Sequence, residues 1–373
     1  MSEREPRHAA PEPEGEEPPS HAAEATATVD DEPSASPRPR RRLRRALISL
    51  AVLALVLAVA IGGGAWFLVN RYAGNIDRVG DVFTGLDDDN RPAAAAPATQ
   101  AGDDPITFLL VGSDTRAEIA PGDLPDARSD AIMIARFSAD RQHAQVISIP
   151  RDSWVDVPGH GKNKINAAYA FGGPTLLIQT VEQLTGVRID HYAAIDFDGL
   201  IQVTDDLGGV DVVVQSATSN GPYTFTAGLN HLDGDQARWY VGQRYDLAGG
   251  DFDRVRRQQN YLRAMFGKLA DQGVFTSPGK LDSTLLAVTD AVAVDDALGN
   301  GDLLSLANSL RGLSPGDVEF FTAPVLGTGT EGSASVVYLD ATTGARMWGY
   351  LQTDSLGQNA DEFGDEALPE VPR

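Results

Sequence analysis

The residues of this chain best suited to chemistry gather in three short polar clusters. Gly112-Ser113-Asp114-Thr115-Arg116, Arg128-Ser129-Asp130 and Pro150-Arg151-Asp152 each border a run of apolar residues. Asp114 and Asp130 could hold one hard divalent cation through oxygen, as Mg²⁺ prefers. Arg151 would then lie close enough to grip phosphate oxygens, because a guanidinium matches them bidentately. The competing reading is that Arg128, Asp130, Arg151 and Asp152 form ordinary solvated ion pairs. A second basic concentration comprises Arg238, Arg244, Arg254, Arg256, Arg257 and Arg263. In an acidic chain it points to an anionic ligand. On a helix starting near Asp253, at about 100° per residue, Val255, Leu262, Phe266 and Leu269 share one face, the expected core stripe. Arg256, Asn260 and Arg263 fall opposite and are expected in solvent. Arg254 and Gln258 lie on the flank with Tyr261, where a side chain can be partly buried yet reach a cleft. Arg254 is therefore the better ligand candidate. The segment from Lys162 through Lys164 to Tyr169 offers two cations and amides, and is expected to be a capped helix start.

These clusters need elements to position them. Strands are expected at 106–112, 131–138, 144–150, 189–197, 210–214 and 319–323. Helices are expected at 174–185, 235–241, 253–270, 281–291 and 302–310. The alternation argues for α/β layers. About five residues separate the second and third strands, too few for a parallel crossover, so they should form an antiparallel hairpin. The direction of the first strand stays open. If it runs parallel to the third, all three polar clusters meet at one end of the sheet.

Composition narrows the function. Thirty Lys plus Arg against 53 Asp plus Glu leave a net charge of −23, which would repel nucleic acid. The chain has no cysteine, so thiolate nucleophiles and Cys-ligated metals are excluded. No H-E-x-x-H, G-x-S-x-G or P-loop signature occurs. Residues 1–45 are expected to be a disordered tail ending in an arginine block at 38–45. The uncharged run 46–69, 24 residues, is expected to be one transmembrane helix. At about 1.5 Å per residue it spans a hydrocarbon core of about 30 Å. Ala58 and Ala60 form the A-x-A pattern of a cleaved signal, but the preceding region is too long for one. The arginine block places the N-terminus in the cytoplasm and the rest outside. Residues 70–104 are expected to be an extracellular linker, 105–353 the globular domain and 354–373 a polar tail.

In their order, several segments resemble the LytR-CpsA-Psr family: 108–114, Arg128-Ser129-Asp130, Ser148-Ile149-Pro150-Arg151-Asp152, and Lys164-Ile165-Asn166-Ala167-Ala168-Tyr169. So do Asp190-His191-Tyr192, Leu207-Gly208-Gly209-Val210-Asp211, and the run from Gly249-Gly250-Asp251-Phe252-Asp253-Arg254 to Arg257-Gln258-Gln259. The resemblance implies an α/β fold, a three-layer α/β/α sandwich with a mixed central sheet, and an apolar groove for a polyprenyl chain. It implies Mg-dependent transfer of a glycopolymer, as a sugar phosphate, from a polyprenyl pyrophosphate carrier to a peptidoglycan hydroxyl, releasing polyprenyl phosphate. It places Mg²⁺ (or Mn²⁺) at Asp114 and Asp130. It places the pyrophosphate at Arg151, Arg244, Arg254 and Gln258, with Lys164 and Asp251 as further site positions. The catalytic assignments are Arg151, Arg244, Arg254 and Asp251. Where the family often carries Arg-x-Arg, this chain reads Gly242-Gln243-Arg244. A hydrolase of polyprenyl pyrophosphate, or a non-catalytic lipid-binding or wall-sensing membrane protein, are the alternatives.

Overall fold

The computed structural model describes residues 77–94, 104–113, 131–271 and 291–372. The expected membrane helix at 46–69, Asp114, Asp130 and the expected helix at 281–291, except Ala291, lie outside the described residues. Among the described residues, no helix is long and apolar enough to cross a membrane.

The first strands in chain order are β1 (Asp77–Val79), β2 (Ile106–Ser113), β3 (Ala131–Phe137), β4 (Ala144–Ser148), β5 (Trp154–Val157), β6 (Gly161–Lys164) and β7 (His191–Asp196). There follow β8 (Val210–Val214), β9 (Thr218–Asn220), β10 (Tyr223–Phe225), β11 (Gly228–Leu232), β12 (Val292–Asp295), β13 (Val318–Thr322), β14 (Val325–Glu331) and β15 (Ala334–Leu339). The helices are α1 (Ile165–Thr185), α2 (Phe197–Asp206), α3 (Gly234–Gly242), α4 (Asp251–Asp271), α5 (Asn300–Ser309) and α6 (Ala341–Gln352).

Seven strands form one mixed sheet in the order β1-β12-β7-β2-β3-β4-β13. Its central strands are apolar on both sides, as a sheet covered on both faces requires. Leu109, Val111, Ile132, Ile134 and Ile147 pack on one face with Leu177 and Ile178 of α1 and Met347 and Leu351 of α6. Phe108, Met133, Ala135 and Val146 pack on the other with Leu262 of α4 and Leu303 and Leu306 of α5. Two helical layers thus sandwich the sheet.

The hairpin is present: Phe137 pairs with Ala144, and Arg141 turns the chain at a φ of 57°. β2 is antiparallel to β3, with Gly112 opposite Ala131, so β2 and β4 run the same way. β7 runs parallel to β2, and β13 parallel to β4. The carboxyl ends of β2, β4, β7 and β13 therefore meet the start of β3 at one end of the sheet. Ligands of open α/β sheets bind beyond such ends.

Three expectations need correction. The linker does not extend to 104: β1 pairs with β12, Val79 and Val82 are buried, and Arg91 bonds Glu182 at 2.7 Å. Three residues are too few for a period to show, and their partner strand is over 200 positions away. The first helix begins at Ile165 rather than 174. It kinks at Gly172 and Gly173, the latter at a φ of 61°, and Pro174 opens its second part. β8 lies outside the main sheet, in a ribbon with β11.

Finally, 354–372 is no free tail. Leu368 N–H donates to Phe320 O and Thr322 N–H to Glu366 O, both at 2.8 Å, which covers the outer edge of β13. Leu356 and Phe363 are anchored in the core at 1% and 0% exposure. Phe363→Ala should therefore destabilise the protein by about 3–5 kcal/mol. A denaturant midpoint unchanged from the parent would show that the segment is not part of the core.

Candidate functional site

Beyond β4 the chain turns sharply. Ser153 Oγ and N–H both donate to Pro150 O, at 2.6 and 2.9 Å, presenting Arg151 and Asp152 on the turn. The start of α1 rests on it: Ile165 N–H donates to Ser153 O and Asn166 N–H to Arg151 O. Lys164 occupies the N-cap position without a side-chain cap. Its ammonium instead meets Asp152 Oδ1 at 2.9 Å, both side chains about one quarter exposed. A helix does start here, though without the expected side-chain cap, and this contact places Lys164 beside Arg151.

The second half of the site is the N-terminus of α4. Gly250 adopts a φ of 55°, and Gly249 N–H donates to Asp253 Oδ2 at 2.7 Å. A Cβ on Gly249 would lie 2.7 Å from the Asp253 carboxylate, so the pair of glycines lets Asp253 fold back and cap the chain. Asp251 Oδ1 lies 2.7 Å from Arg254 Nη2, one turn apart, and Arg254 is 1% exposed. The partial positive charge of the helix N-terminus adds to that of Arg254.

Arg257, named among the clustered arginines but given no role in the sequence reading, is fully buried. Its Nη1 donates to Gln243 Oε1 at 2.6 Å and its Nη2 to Thr218 Oγ1 at 2.8 Å. Its guanidinium stands 4.7 Å from the Tyr240 ring, and burial pushes its pKa down. Gln243 Nε2 in turn donates to the Ser219 and Tyr245 carbonyls. Arg257 therefore fixes the segment that carries Arg244, whose own side chain is exposed.

Gln258 and Gln259 face in different directions. Gln258 lines a small apolar cavity of about 20 Å³ with Leu110, Met133, Ile195, Tyr261 and Leu262, between α4 and the sheet. Gln259 Nε2 donates to Ser148 Oγ at 2.8 Å and Phe321 O at 2.7 Å. It ties α4 to the ends of β4 and β13, three residues before Arg151.

The expected single core stripe on α4 is corrected. Val255 is buried, but so are Asp253, Arg254, Arg257, Gln258, Gln259 and Asn260. The helix is enclosed by the sheet on one side and by β8 and the C-terminal segment on others. Asn260 donates to Tyr240 Oη and Val213 O. Arg263 donates to Asn260 Oδ1 and Glu370 O, and burial lowers its pKa. Neither is merely solvated. Arg256 is, as expected, partly exposed, and pairs with Asp253 at 3.1 Å.

Among the described residues, no group of three carboxylate, histidine or cysteine side chains converges as a metal site. One carboxylate passed over in the sequence is placed at this end. Asp196, buried, is the last residue of β7 and is registered with Ser113. Its signal was its position at the carboxyl end of an apolar strand.

A mixed α/β sheet with a cationic end beside an apolar cavity defines the class. The LytR_cpsA_psr family model matches residues 83–352, and the chain belongs to that family. It is 33% identical over 284 residues to the Cell wall biosynthesis protein LcpA of Corynebacterium glutamicum, covering 64% of this chain and 54% of that protein. It is 34% identical over 209 residues to the Polyisoprenyl-teichoic acid–peptidoglycan teichoic acid transferase TagU of Enterococcus faecalis, covering 56% and 66%. The chain thus spans between about half and two thirds of these relatives. The fold is similar to that of B. subtilis TagV, at a TM-score of 0.56 and 25% identity over 68% of this chain and 98% of that one. It is also similar to TagT bound to LI-WTA, at 0.54 and 25% over 71% and 96%.

Gly242 ends α3 with an ordinary φ, and a Cβ there would meet nothing within 4 Å. Gly242→Arg should leave the melting temperature unchanged, because nothing stands where its side chain would begin. A marked fall in melting temperature would show that the glycine is structurally required. Gln259→Leu should cost about 1–3 kcal/mol, since it removes the buried amide that bonds Ser148 Oγ and Phe321 O. Chemical denaturation reads this directly, and a stability equal to the parent's would contradict the tie.

Proposed function

We propose that this chain transfers a glycopolymer, as its sugar phosphate, from a polyprenyl pyrophosphate carrier to a hydroxyl of peptidoglycan. One observation carries the proposal. Arg254 and Gln258, four residues apart on α4, join a cationic helix start to an apolar cavity. A pyrophosphate joined to an isoprenoid chain needs that juxtaposition. The names of the relatives, a cell wall biosynthesis protein and a teichoic acid transferase, support it.

In this reading Arg151, Lys164, Arg244 and Arg254 bind the pyrophosphate oxygens, with Asp251 orienting Arg254 and Gln258 at the cavity mouth. The acceptor hydroxyl oxygen attacks the sugar-side phosphorus. A phosphodiester forms, the bond to the bridging oxygen breaks, and polyprenyl phosphate leaves. The hydroxyl proton passes to a carboxylate, for which Asp130 and Asp152 are the candidates. Such transfers rest on positioning and charge stabilisation, which this set of cations supplies.

The donor set is carboxylate oxygen in a chain without cysteine, which suits a hard cation. Mg²⁺ (or Mn²⁺), assigned to Asp114 and Asp130, would supply further neutralisation of phosphate charge. A lipid carrier and a wall acceptor require the domain outside the cell membrane, anchored through 46–69.

The test uses the full chain in detergent with a polyprenyl-pyrophosphate-linked oligosaccharide, with Mg²⁺ or EDTA, and with or without peptidoglycan fragments. Polyprenyl phosphate release should need Mg²⁺ and move the sugar phosphate onto peptidoglycan. Release equally fast without acceptor would make the protein a hydrolase, and binding without release a sensing module. Arg254→Ala should lower turnover by about 10²–10³-fold. Asp114→Ala should abolish turnover with an unchanged circular dichroism spectrum, and full activity in that variant would sink the metal role.

A further inference from the structure

On the face of the sheet opposite the Gln258 cavity lies a second, larger cleft of about 1090 Å³. Its walls are β5 and β6, the end of α1, the start of β14, β15 and α6. It runs along α1 and α6, and one end of its lining adjoins the catalytic end of the sheet. Trp154 in its wall is two residues beyond Asp152, and Ala323 and Pro324 follow the last residue of β13. Val337 N–H donates to Asp152 O at 2.9 Å, which pins β15 beside the same turn.

The lining differs from that of the anion site. Its charged side chains are three carboxylates, Asp156, Glu331 and Asp340, against one ammonium, Lys162. Such a balance repels a phosphate-rich ligand. Trp154 and Tyr338 contribute aromatic surface with the core residue Trp348 behind them, and Gln183 and Gln352 contribute amides. Aromatic surface packs against the apolar faces of sugar rings, while carboxylates and amides match their hydroxyl and acetamido groups.

Geometry selects the occupant. In phosphoryl transfer the attacking and leaving oxygens lie roughly in line, on opposite sides of phosphorus. In the transferase reading the leaving polyprenyl phosphate departs on the α4 face, beside the small apolar cavity that Gln258 lines. The attacking hydroxyl must then approach from the other side, where this cleft lies. We propose that the cleft binds the glycan strand of the acceptor, an uncharged chain of N-acetylated sugars. This assignment rests on the transferase reading for its role, but the binding itself does not.

The experiment titrates the full chain in detergent, without donor, with chitohexaose, a neutral oligomer of N-acetylglucosamine. Calorimetry should show saturable binding. Trp154→Ala and Asp156→Lys should each weaken it at least about tenfold, or 1.4 kcal/mol. Asp156 is exposed, so its variant keeps the test open should Trp154→Ala fail to fold. No binding at millimolar sugar would overturn the inference, even if transfer to peptidoglycan is observed. Undiminished binding in both variants would overturn the location. Binding of a muramyl stem peptide with chitohexaose inert would replace the glycan by a peptide and overturn it too. Chitohexaose binding lost in the variants, in a protein that proves unable to transfer, would uphold the cleft and defeat only the reaction assigned above.

Discussion

Burial of two guanidinium groups in the first turns of α4 sets the terms for the rest of the structure. Removing such an ion from water costs several kcal/mol even after relaxation. Arg254 and Arg257 are nonetheless among the largest fully buried side chains. Asp251 answers Arg254, while Gln243, Thr218 and the face of Tyr240 answer Arg257. Because each contact is directional, α4 cannot slide or roll without stranding a charge. Gln259 and Asn260 extend the same logic to the strands, bonding the ends of β4 and β13 and the backbone of β8. The helix that carries the cations is thereby held in register with the sheet end that carries Arg151.

The sheet contributes direction. With β2, β4, β7 and β13 all ending on one side, several loops converge there although their sequence positions span 113 to 324. The two faces then diverge in character. One holds a small apolar cavity under a polar helix, and the other a larger cleft with aromatic and acidic groups. A reaction that separates a greasy leaving group from a hydroxylic acceptor is served by two approaches meeting at one end.

Not every signature segment does chemistry. Asp190 accepts from Thr107 N–H at 2.8 Å, and its burial raises its pKa. His191 leans on Asp295 at 3.2 Å. Both fasten β7 to its neighbours. In Leu207-Gly208-Gly209, the two glycines at φ of 72° and 88° turn the chain into β8. A Cβ on Gly209 would strike the His231 ring. These residues mark the family because the fold needs them, which is why the order of motifs was informative beyond any one of them.

The sequence by itself determined the central strands, the β3–β4 hairpin and the start of α4. Each is written in local terms: a run of apolar residues, a five-residue gap, a Gly-Gly followed by acidic residues. It also singled out Arg254 and Gln258, since their spacing sets them together on one flank. The tertiary structure alone decided the rest. Helical periodicity assumes one buried face, so it missed Arg257 and misjudged Asn260 and Arg263, which a helix enclosed on several sides buries instead. β1 and the segment 354–372 looked like linker and tail because their partners, β12 and β13, are distant in sequence or supply backbone hydrogen bonds that composition does not record. Asp196 entered the site through the register of β7 on β2, and the acidic cleft through the meeting of six separate elements. Local chemistry is carried by neighbours along the chain, whereas burial and convergence depend on which distant segments pack together.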